Sequence, residues 1–306
     1  MVSRAEIAIA AEEAGFDLFG VTRAEPMVVE ERCFREWLAM EYGDTLSYLH
    51  RNLDLRFDPS TLVAGGRSVI VCAANYKSHH SLSRPNESGA GIASYATMRD
   101  YHKTLRKRLK QLLTTLQRLH PELSGRVFTD SAPLLEKSLA VRAGIGWIGR
   151  NSLVITPQYG SFILLGEVVI DADVESYDTP IEGRGCGECR RCVDVCPARA
   201  INDNRTIDAR RCIACRTIEV EDWSDEPLAG WIFGCDSCQS LCPHNQRTPL
   251  ATAEWMKPTT TPPTAEEWIT MSEERFATLT QGTPLRRTTL RRMQHSININ
   301  LKDQNQ

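Results

Sequence analysis

Nine of the eleven cysteines lie in one segment, between Cys186 and Cys242. Eight of these nine form two runs that both end in Cys-x3-Cys-Pro. The runs are Cys186, Cys189, Cys192 and Cys196, followed by Cys212, Cys235, Cys238 and Cys242. Cysteines two residues apart let one tight loop give three thiolates to a cubane cluster, while the cysteine before the proline binds the other cluster. The pattern therefore predicts two 4Fe–4S clusters.

Because the last cysteine of each run binds the cluster of the other run, the eight ligands divide into two sets. We predict that one cluster is bound by Cys186, Cys189, Cys192 and Cys242, and the other by Cys212, Cys235, Cys238 and Cys196. Cys215 makes a further Cys-x2-Cys pair with Cys212 and is the alternative ligand at that position. Structural zinc also uses Cys-x2-Cys pairs. Zinc, however, has no need of a repeated Cys-x3-Cys-Pro ending.

Composition and charge limit the classes of function. The 306 residues are 42% hydrophobic and 25% charged, which is typical of a soluble globular protein. A net charge of −3 means that a polyanionic partner would have to be met by local basic patches. The most apolar run, residues 161–170, is too short to span a bilayer and contains Glu167. Without a visible export signal, so many cysteines favour a reducing cytoplasm, and we expect a monomer with no membrane partner.

Hydrophobic periodicity predicts the elements that must position these residues. The predicted helices are one ending at Gly15 and others over residues 30–52, 100–119 and 134–142. The predicted strands cover residues 18–21, 68–73, 126–129, 151–156 and 162–170, the last two forming a hairpin around residues 158–160. This irregular alternation favours an α+β sandwich over a regular βαβ series.

Changes in composition predict three segments. A first domain covers residues 1–177, the cysteine domain covers 178–250, and a basic helical tail over 251–306 packs on the rest. Residues from Asn298 onward are expected to fray. In the helix predicted over residues 30–52, the predicted core residues share one face. That face consists of Phe34, Trp37, Leu38 and Leu46.

Two motifs in the first domain have competing interpretations. Gly144-x-Gly146-x2-Gly149 matches a dinucleotide fingerprint, but it follows a predicted helix and precedes a strand, so we reject a Rossmann site. It is then either a turn that admits a bulky cofactor or a plain structural turn. Asp130 stands between a predicted strand and a predicted helix. It is either an N-cap of that helix or a general acid facing a pocket.

Taken together, these motifs resemble those of epoxyqueuosine reductases, which complete queuosine synthesis in tRNA. The resemblance covers nearly the whole chain. The matching segments are residues 100–109 (Asp-Tyr-His-Lys-x-Leu-Arg-Lys-Arg-Leu), 130–133 (Asp-Ser-Ala-Pro), 143–151, 156–161, 234–239 and the cysteine runs. Cys215 departs from the pattern, because relatives commonly have an aromatic residue there. The helical-repeat extension found in the longer members of the family is also not expected in this chain.

The resemblance implies a fold and a set of cofactors. The fold would be a nitroreductase-like α/β sandwich that binds cobalamin, followed by a bacterial ferredoxin-like domain with two 4Fe–4S clusters. The sequence contains no Asp-x-His-x2-Gly run to supply a lower histidine ligand, which agrees with base-off cobalamin. In such enzymes Asp130 would be the proton donor. The implied cobalamin contacts are Arg56, Tyr95, Asp130, Asn151 and Ser152.

The implied reaction is the two-electron reduction of epoxyqueuosine in the anticodon stem-loop of a tRNA, with electrons from an external donor. Candidate phosphate contacts are the basic residues within 103–110, Arg190 with Arg191, Arg210 with Arg211, and those within 286–292. Singly, each of these is better explained as a solvated surface residue. Two alternatives are a dehalogenase-like cobalamin and iron–sulfur reductase, and an electron carrier without enzymatic activity.

Overall fold

The fold is described from a computed structural model. The described residues are 1–83, 85, 89–130, 132–220, 223–259 and 261–303. Residues 79–90, rich in Ser, Gly, Pro and His, are predicted from the sequence to form a loop, and part of this loop lies outside the described residues, as does Ser131, the second position of the Asp130 motif. No helix in the described ranges is long and apolar enough to cross a membrane.

Helices are distributed along the whole described chain. They are α1 (Arg4–Glu13), α2 (Val28–Ala39), α3 (Leu53–Phe57), α4 (Tyr101–Leu119), α5 (Glu136–Arg142), α6 (Arg191–Asp194), α7 (Ile213–Ile218), α8 (Ser237–Ser240), α9 (Pro243–Gln246), α10 (Ala265–Ile269), α11 (Glu273–Leu279) and α12 (Leu290–Asp303). Short 3-10 helices cover Ser47–His50, Pro59–Leu62, Ser94–Thr97, Glu254–Met256 and Pro284–Arg287.

The strands are β1 (Leu18–Arg23), β2 (Ser68–Asn75), β3 (Gly91–Ile92), β4 (Gly125–Phe128), β5 (Trp147–Ile148), β6 (Val154–Ile155), β7 (Ile163–Ile170) and β8 (Trp231–Phe233). The main sheet is antiparallel and has the order β1-β2-β7-β4. Its central strand β2 is buried along its full length. Such a strand needs cover on both faces, and helices provide it.

Alternate residues of the sheet enter two separate cores. Ile70 and Val168 belong to the core with α1 and α4. Val71 and Val169 belong to the core with α5, on the opposite face. The α+β sandwich predicted from the sequence is therefore confirmed. In α4 the side chain of Asp100 caps the helix by accepting from the His102 N–H.

The predicted hairpin of residues 151–156 with 162–170 is wrong. Strand β6 pairs with β5, whereas β7 lies between β2 and β4 in the main sheet. A single bridge between Thr156 and Gly160 makes the turn that separates β6 from β7. The glycine motif before β6 is a structural turn, since a side-chain carbon at Gly146 would collide with the Ile155 carbonyl.

The helix predicted over residues 30–52 is shorter than expected. It ends at Ala39 and continues as turns and a 3-10 helix. The expected buried stripe is also wrong, because α2 has no fully buried residue. Its indole residue, Trp37, donates a hydrogen bond to the Ile207 carbonyl, 2.8 Å away, so α2 is connected to the cysteine segment. The apolar face of α2 therefore borders an internal space instead of a filled core.

Helix α12 continues as far as Asp303, contrary to the expected fraying from Asn298. Asn300 is buried, and its amide donates to the carbonyls of Gly89 and Trp231. Trp231 belongs to β8, which pairs in parallel with β3. The last helix therefore stabilises a small sheet that connects the cysteine segment to the first part of the chain.

Candidate functional site

A cavity of about 660 Å³ lies between α2, the start of α5 and the cysteine segment. Its size is within the range of small-molecule and cofactor sites, about 300–1,000 Å³. Phe34, Trp37 and Leu46 make an apolar wall. Among the lining residues are three predicted cobalamin contacts and two cysteines of the cysteine segment, which are Arg56, Asp130, Ser152, Cys212 and Cys215.

Arg56 lies against this cavity in a buried position. Its guanidinium is 5.8 Å from the centre of the Phe34 ring, and its Nε has no hydrogen-bond partner among the described residues. Burial lowers the pKa of Arg56 from its usual value. A buried guanidinium nitrogen without an acceptor is costly in the free protein. Arg56 is therefore suited to donate a hydrogen bond to a ligand in the cavity.

The interpretation of Asp130 as an N-cap is wrong. Helix α5 begins at Glu136, and its N-cap position is Leu135, without a side-chain cap. Asp130 lies farther upstream with φ +44°, a left-handed conformation that is uncommon for residues other than glycine. Its backbone N–H donates to the Glu136 carboxylate, so this contact helps to hold the unusual backbone conformation.

The Asp130 side chain belongs to a hydrogen-bonded chain of three residues. Its Oδ2 is 2.6 Å from His102 Nε2, while His102 Nδ1 is 2.7 Å from Asp100 Oδ1. The hydrogen bond from His102 holds the pKa of Asp130 below its usual value. Hydrogen bonds to Asp130 and Asp100 raise the pKa of His102. In this arrangement the proton resides on the imidazole and Asp130 is a carboxylate.

Two further groups surround this network. The Tyr101 hydroxyl lies 3.4 Å from Asp130 Oδ2. Arg287, from the C-terminal segment, makes two hydrogen bonds to the Glu219 carboxylate, at 2.8 and 3.0 Å, and its charge also contributes to the lowered pKa of Asp130. The tail therefore adds a positive charge beside the acid.

The other predicted cofactor residues are placed differently from one another. Ser152 lines the 660 Å³ cavity with φ +60°. Asn151 is buried and borders a separate small cavity among cysteines. Tyr95 packs against Tyr101 and Phe233, with ring centres 6.1 and 6.4 Å apart, and does not line the larger cavity. The structure therefore gathers Arg56, Asp130 and Ser152 but not Tyr95 and Asn151.

The cysteines form two groups in space. The first surrounds the small cavity next to Asn151 and consists of Cys186, Cys189, Cys192 and Cys242. Burial, and then the nearness of Cys186 and Cys242, raises the pKa of Cys192 to about 11. Several thiolates at such a site require a compensating cation, because ligand thiols are deprotonated when they bind a metal.

The second group centres on Cys238, which is half-buried. Burial first, and then its proximity to three other cysteines, raises the pKa of Cys238; those three are Cys235, Cys212 and Cys196. The sulfur of Cys215 is instead 3.4 Å from the Thr45 hydroxyl. Both groups contain cysteines from both sequence runs, as the predicted ligand sets require.

The basic residues proposed from sequence differ in accessibility. Lys103, Lys107 and Lys110 are exposed on α4. Arg292 is buried, and its guanidinium donates to the Arg216 carbonyl at 2.6 Å, so it has a structural role and cannot meet a phosphate. Arg210 is engaged by Asp208 at 2.9 Å.

Sequence reasoning missed four residues around Asp130. His102 stood inside a matched motif but was not assigned a role, and Arg287 was considered only as part of a basic tail. Glu136 and Glu167 were also not assigned; Glu167 was noted only as a charge in the apolar run 161–170. A charged residue in the middle of a buried strand is the one signal that could have drawn attention to it.

Two family models match this chain. One is described as epoxyqueuosine reductase QueG and matches residues 56–131. The other is a 4Fe-4S double cluster binding domain and matches residues 185–245. The second match contains both cysteine groups, so the chain carries a double-cluster domain.

Curated relatives of the chain are named epoxyqueuosine reductase. A protein of Cyclobacterium marinum is 36% identical over 300 residues, covering 94% of each chain. A protein of Escherichia coli K12 is 38% identical over 284 residues, covering 90% of this chain and 74% of the relative.

Solved structures share the fold. Epoxyqueuosine reductase from Streptococcus thermophilus superposes with a TM-score of 0.83 at 26% identity, covering 99% of this chain and 82% of that one. An epoxyqueuosine reductase solved with an epoxyqueuosine-modified tRNA-Tyr stem loop gives 0.84 at 24% identity, covering 97% and 80%. A reductive dehalogenase gives 0.50 at 16% identity, covering 82% of this chain and 32% of the dehalogenase.

Proposed function

Because this chain belongs to the epoxyqueuosine reductase family, we propose that it reduces epoxyqueuosine to queuosine at the wobble position of tRNA. The reaction takes up two electrons and two protons, breaks both C–O bonds of the epoxide, and releases the oxygen as water when the cyclopentene double bond forms. Electrons would come from an external donor to a monomeric enzyme. The alternatives of a dehalogenase-like reductase and a simple electron carrier are not favoured by the family.

One observation carries the proposal. The same cavity is lined by Asp130, which can exchange a proton with His102, and by Cys212, which belongs to the second cysteine group. An electron source and a proton source therefore border the same cavity. A reduction that consumes both electrons and protons needs this combination.

The cavity fits base-off cobalamin by the chemistry of its walls. The apolar side chains of Phe34 and Trp37 suit the face of a large ring, and the unpartnered Nε of Arg56 suits a polar substituent at its edge. Ser152 would be a further polar contact, while Tyr95 and Asn151 would act from outside this cavity. When bound, cobalamin supplies a low-valent, nucleophilic cobalt, and the protein supplies orientation and protons.

For the clusters, we propose the two ligand sets that the spatial groups support. The first is Cys186, Cys189, Cys192 and Cys242, and the second is Cys212, Cys235, Cys238 and Cys196. The second set adjoins the cavity through Cys212. It would therefore be the immediate electron source, and the first set would receive electrons from the donor.

Asp130 would deliver a proton to the departing oxygen. Because the resting Asp130 is a carboxylate, the proton moves first from His102 Nε2 to Asp130 Oδ2, across the 2.6 Å hydrogen bond. Asp100 keeps the ring oriented through Nδ1. When Asp130 has passed its proton on and is again a carboxylate, the neutral His102 ring, whose side chain is 29% exposed, can take up another proton from solvent.

Binding of a tRNA anticodon stem-loop would bring the modified base to the cavity. The tRNA stem loop bound to a relative of the same fold supports this substrate. The exposed lysines of α4 support it further, because that helix begins beside Asp130 at Tyr101 and His102. Recognition of RNA commonly combines phosphate contacts with a base turned out of its stack.

The variant Asp130→Asn tests the proposed acid. We expect turnover on tRNA carrying epoxyqueuosine to fall by at least about 100-fold, the contribution typical of general acid catalysis, while iron and cobalamin contents stay unchanged. Asp303→Asn, at an exposed position of α12, is the matched control and should leave turnover unchanged. Normal turnover of the Asp130 variant would remove Asp130 from the mechanism.

A further inference from the structure

Glu167 occupies an unusual position for an ionisable residue. It lies in the middle of β7, directly opposite Val71 of β2 and Phe128 of β4, and it is completely buried. These neighbours belong to the apolar core that also contains α5. A carboxylate at such a place is strongly disfavoured unless it is paired or protonated. The proposed reaction does not use it directly.

Neither oxygen of Glu167 accepts a hydrogen bond from any described residue. The polar group that it faces is the carboxyl of Glu136, at the start of α5. Two carboxylates in contact cannot both be ionised without strong repulsion, whereas one shared proton turns the contact into a hydrogen bond. A proton between Glu136 and Glu167 would therefore stabilise the contact, since Glu167 is fully buried and both of its oxygens are otherwise unpartnered among the described residues.

Glu136 connects this buried contact to the cavity. It is among the cavity-lining residues, and its carboxylate accepts the backbone N–H of Asp130. This hydrogen bond acts on the residue with φ +44°. Contacts thus connect strand β7, through Glu167 and Glu136, to the backbone of the proposed acid, Asp130.

We propose that Glu136 and Glu167 share one proton and together form the support that positions Asp130, with Glu167 as the hydrogen-bond donor. This inference rests on the proposed function only for the role of Asp130. Glu167 touches no substrate in this scheme and is a positioning residue. Loss of the shared proton would place two negative charges in contact beneath Asp130 and weaken its support.

The electrostatic surroundings agree with this arrangement. Burial, and then the charge of Asp130, raises the pKa of Glu136 to about 7. Burial, and then Glu136, raises the pKa of Glu167 well above its usual value. The other titratable neighbours are Lys137, which donates to the Ser152 carbonyl, Tyr101 near Glu136, and Cys72 near Glu167. Lys137 is the cation facing the pair, and it partly offsets the charge of Glu136.

Infrared spectroscopy of the unloaded protein tests the shared proton without any catalytic assay. At neutral pH we expect the carbonyl band of a protonated carboxylic acid, which shifts in D₂O. The band should be absent in Glu167→Gln and present in the control Glu122→Gln, since Glu122 is exposed. Absence of such a band from the wild-type protein at neutral pH would overturn the inference.

Kinetics of the loaded enzyme tests the positioning role. Glu167→Gln keeps a donor of similar size, so kcat should stay within about threefold of wild type. In the wild-type enzyme, loss of the shared proton should make kcat fall at alkaline pH. In Glu167→Gln this fall should disappear. Glu167→Leu keeps the volume but removes the donor. Its kcat should fall by about 10- to 100-fold with KM for tRNA unchanged, as a displaced reacting group predicts.

The outcomes separate this inference from the proposed function. A Glu167→Leu protein that folds and turns over like wild type would contradict the positioning role. A wild-type protein that shows the infrared band but no activity on epoxyqueuosine-tRNA would contradict the proposed function and leave the shared proton established. If Glu167→Leu does not fold, Glu167→Gln still decides through its alkaline pH profile, because an unchanged profile would oppose the inference.

Discussion

The imidazole of His102 is held between two carboxylates, Asp130 at 2.6 Å and Asp100 at 2.7 Å. Asp100 has a second role, because the same oxygen accepts the backbone N–H of His102 at the start of α4. A helix cap and the orientation of a proton donor therefore depend on one side chain. The arrangement resembles the way in which second carboxylates fix the ring of a catalytic histidine.

The interaction of His102 with Asp130 predicts a pH-dependent stability. The raised pKa of His102 makes its contribution fully present below the ordinary histidine pKa of about 6.5, and it is lost as pH rises through the raised pKa. The lowered pKa of Asp130 makes its contribution present above the ordinary aspartate pKa of about 3.9, and it is lost as pH falls through the lowered pKa.

Replacement of His102 by Gln should therefore reduce the free energy of unfolding most between about pH 4 and 6.5. The loss should not exceed about 1 kcal/mol, because the Asp130 side chain is 46% exposed and the pair is screened by solvent. Denaturant titrations over a pH series measure this. His50→Gln, at an exposed histidine, should show no such window, and a pH-independent effect of the His102 variant would oppose the ion pair.

Residue types and spacing were sufficient to predict the cysteines and to single out Asp130, whereas Arg56 and Ser152 came from the resemblance to epoxyqueuosine reductases. They were not sufficient for Glu136 and Glu167, because the partners of a buried carboxyl come from distant elements. Glu167 meets Glu136 only after β7 enters the sheet and α5 covers it. For the same reason the sequence did not place Tyr95 and Asn151, whose surroundings also depend on the cysteine segment.

Among the elements, α12 has the clearest stabilising contact. The side chain of Asn300 accepts the backbone N–H of Gly230 at 3.0 Å and donates to the carbonyls of Gly89 and Trp231 at 2.8 and 3.1 Å. These three backbone groups flank the pairing of β3 with β8. The single buried side-chain amide of Asn300 therefore hydrogen-bonds backbone groups in or next to both strands.

The variant Asn300→Ala should lower the free energy of unfolding by about 2 kcal/mol, since it leaves buried backbone groups without partners. Thermal or denaturant unfolding measures the change. Asn298→Ala, on the exposed side of the same helix, is the matched control and should have an effect below about 0.5 kcal/mol. Equal effects of the two variants would mean that helix propensity, and not the amide contacts, determines the loss.

The local sequence pattern predicted the positions of helices and strands better than it predicted which elements pack or pair with each other. The long amphipathic helix α4 was predicted almost to the residue, because its leucines recur with helical spacing. The wrong hairpin arose because β6 and β7 are neighbours in sequence, although β7 pairs with distant strands. The expected fraying after Asn298 failed for a similar reason. A polar residue near a chain end gives no sign that it will be buried against another strand.

At the scale of the whole molecule, binding of RNA has to overcome a net charge of −3. Local basic surface must therefore provide the attraction, and affinity for tRNA should weaken steeply as salt rises. Lys103 is exposed in the first turn of α4, next to the Asp130 network, whereas Lys110 lies about 10 Å farther along the helix. The two lysines offer a comparison within one element.

We expect Lys103→Ala to weaken binding of the tRNA stem-loop more than Lys110→Ala and to reduce the slope of log affinity against log salt by about 1. Fluorescence anisotropy at several salt concentrations measures both quantities. Lys302→Ala, at the exposed end of α12, serves as the control for a general change of charge. Equal effects of all three substitutions would place the tRNA elsewhere.

The pairing of β3 with β8 also has a consequence for biosynthesis. The two strands come from the first and last thirds of the chain, so β3 has no partner while the polypeptide is still being synthesised. Each proposed cluster likewise needs a cysteine from both runs. The first iron–sulfur site cannot be complete until the ribosome has released Cys242 from its tunnel, and the second needs Cys238. Cluster insertion is therefore expected late in synthesis, and the early thiols must stay reduced during that delay.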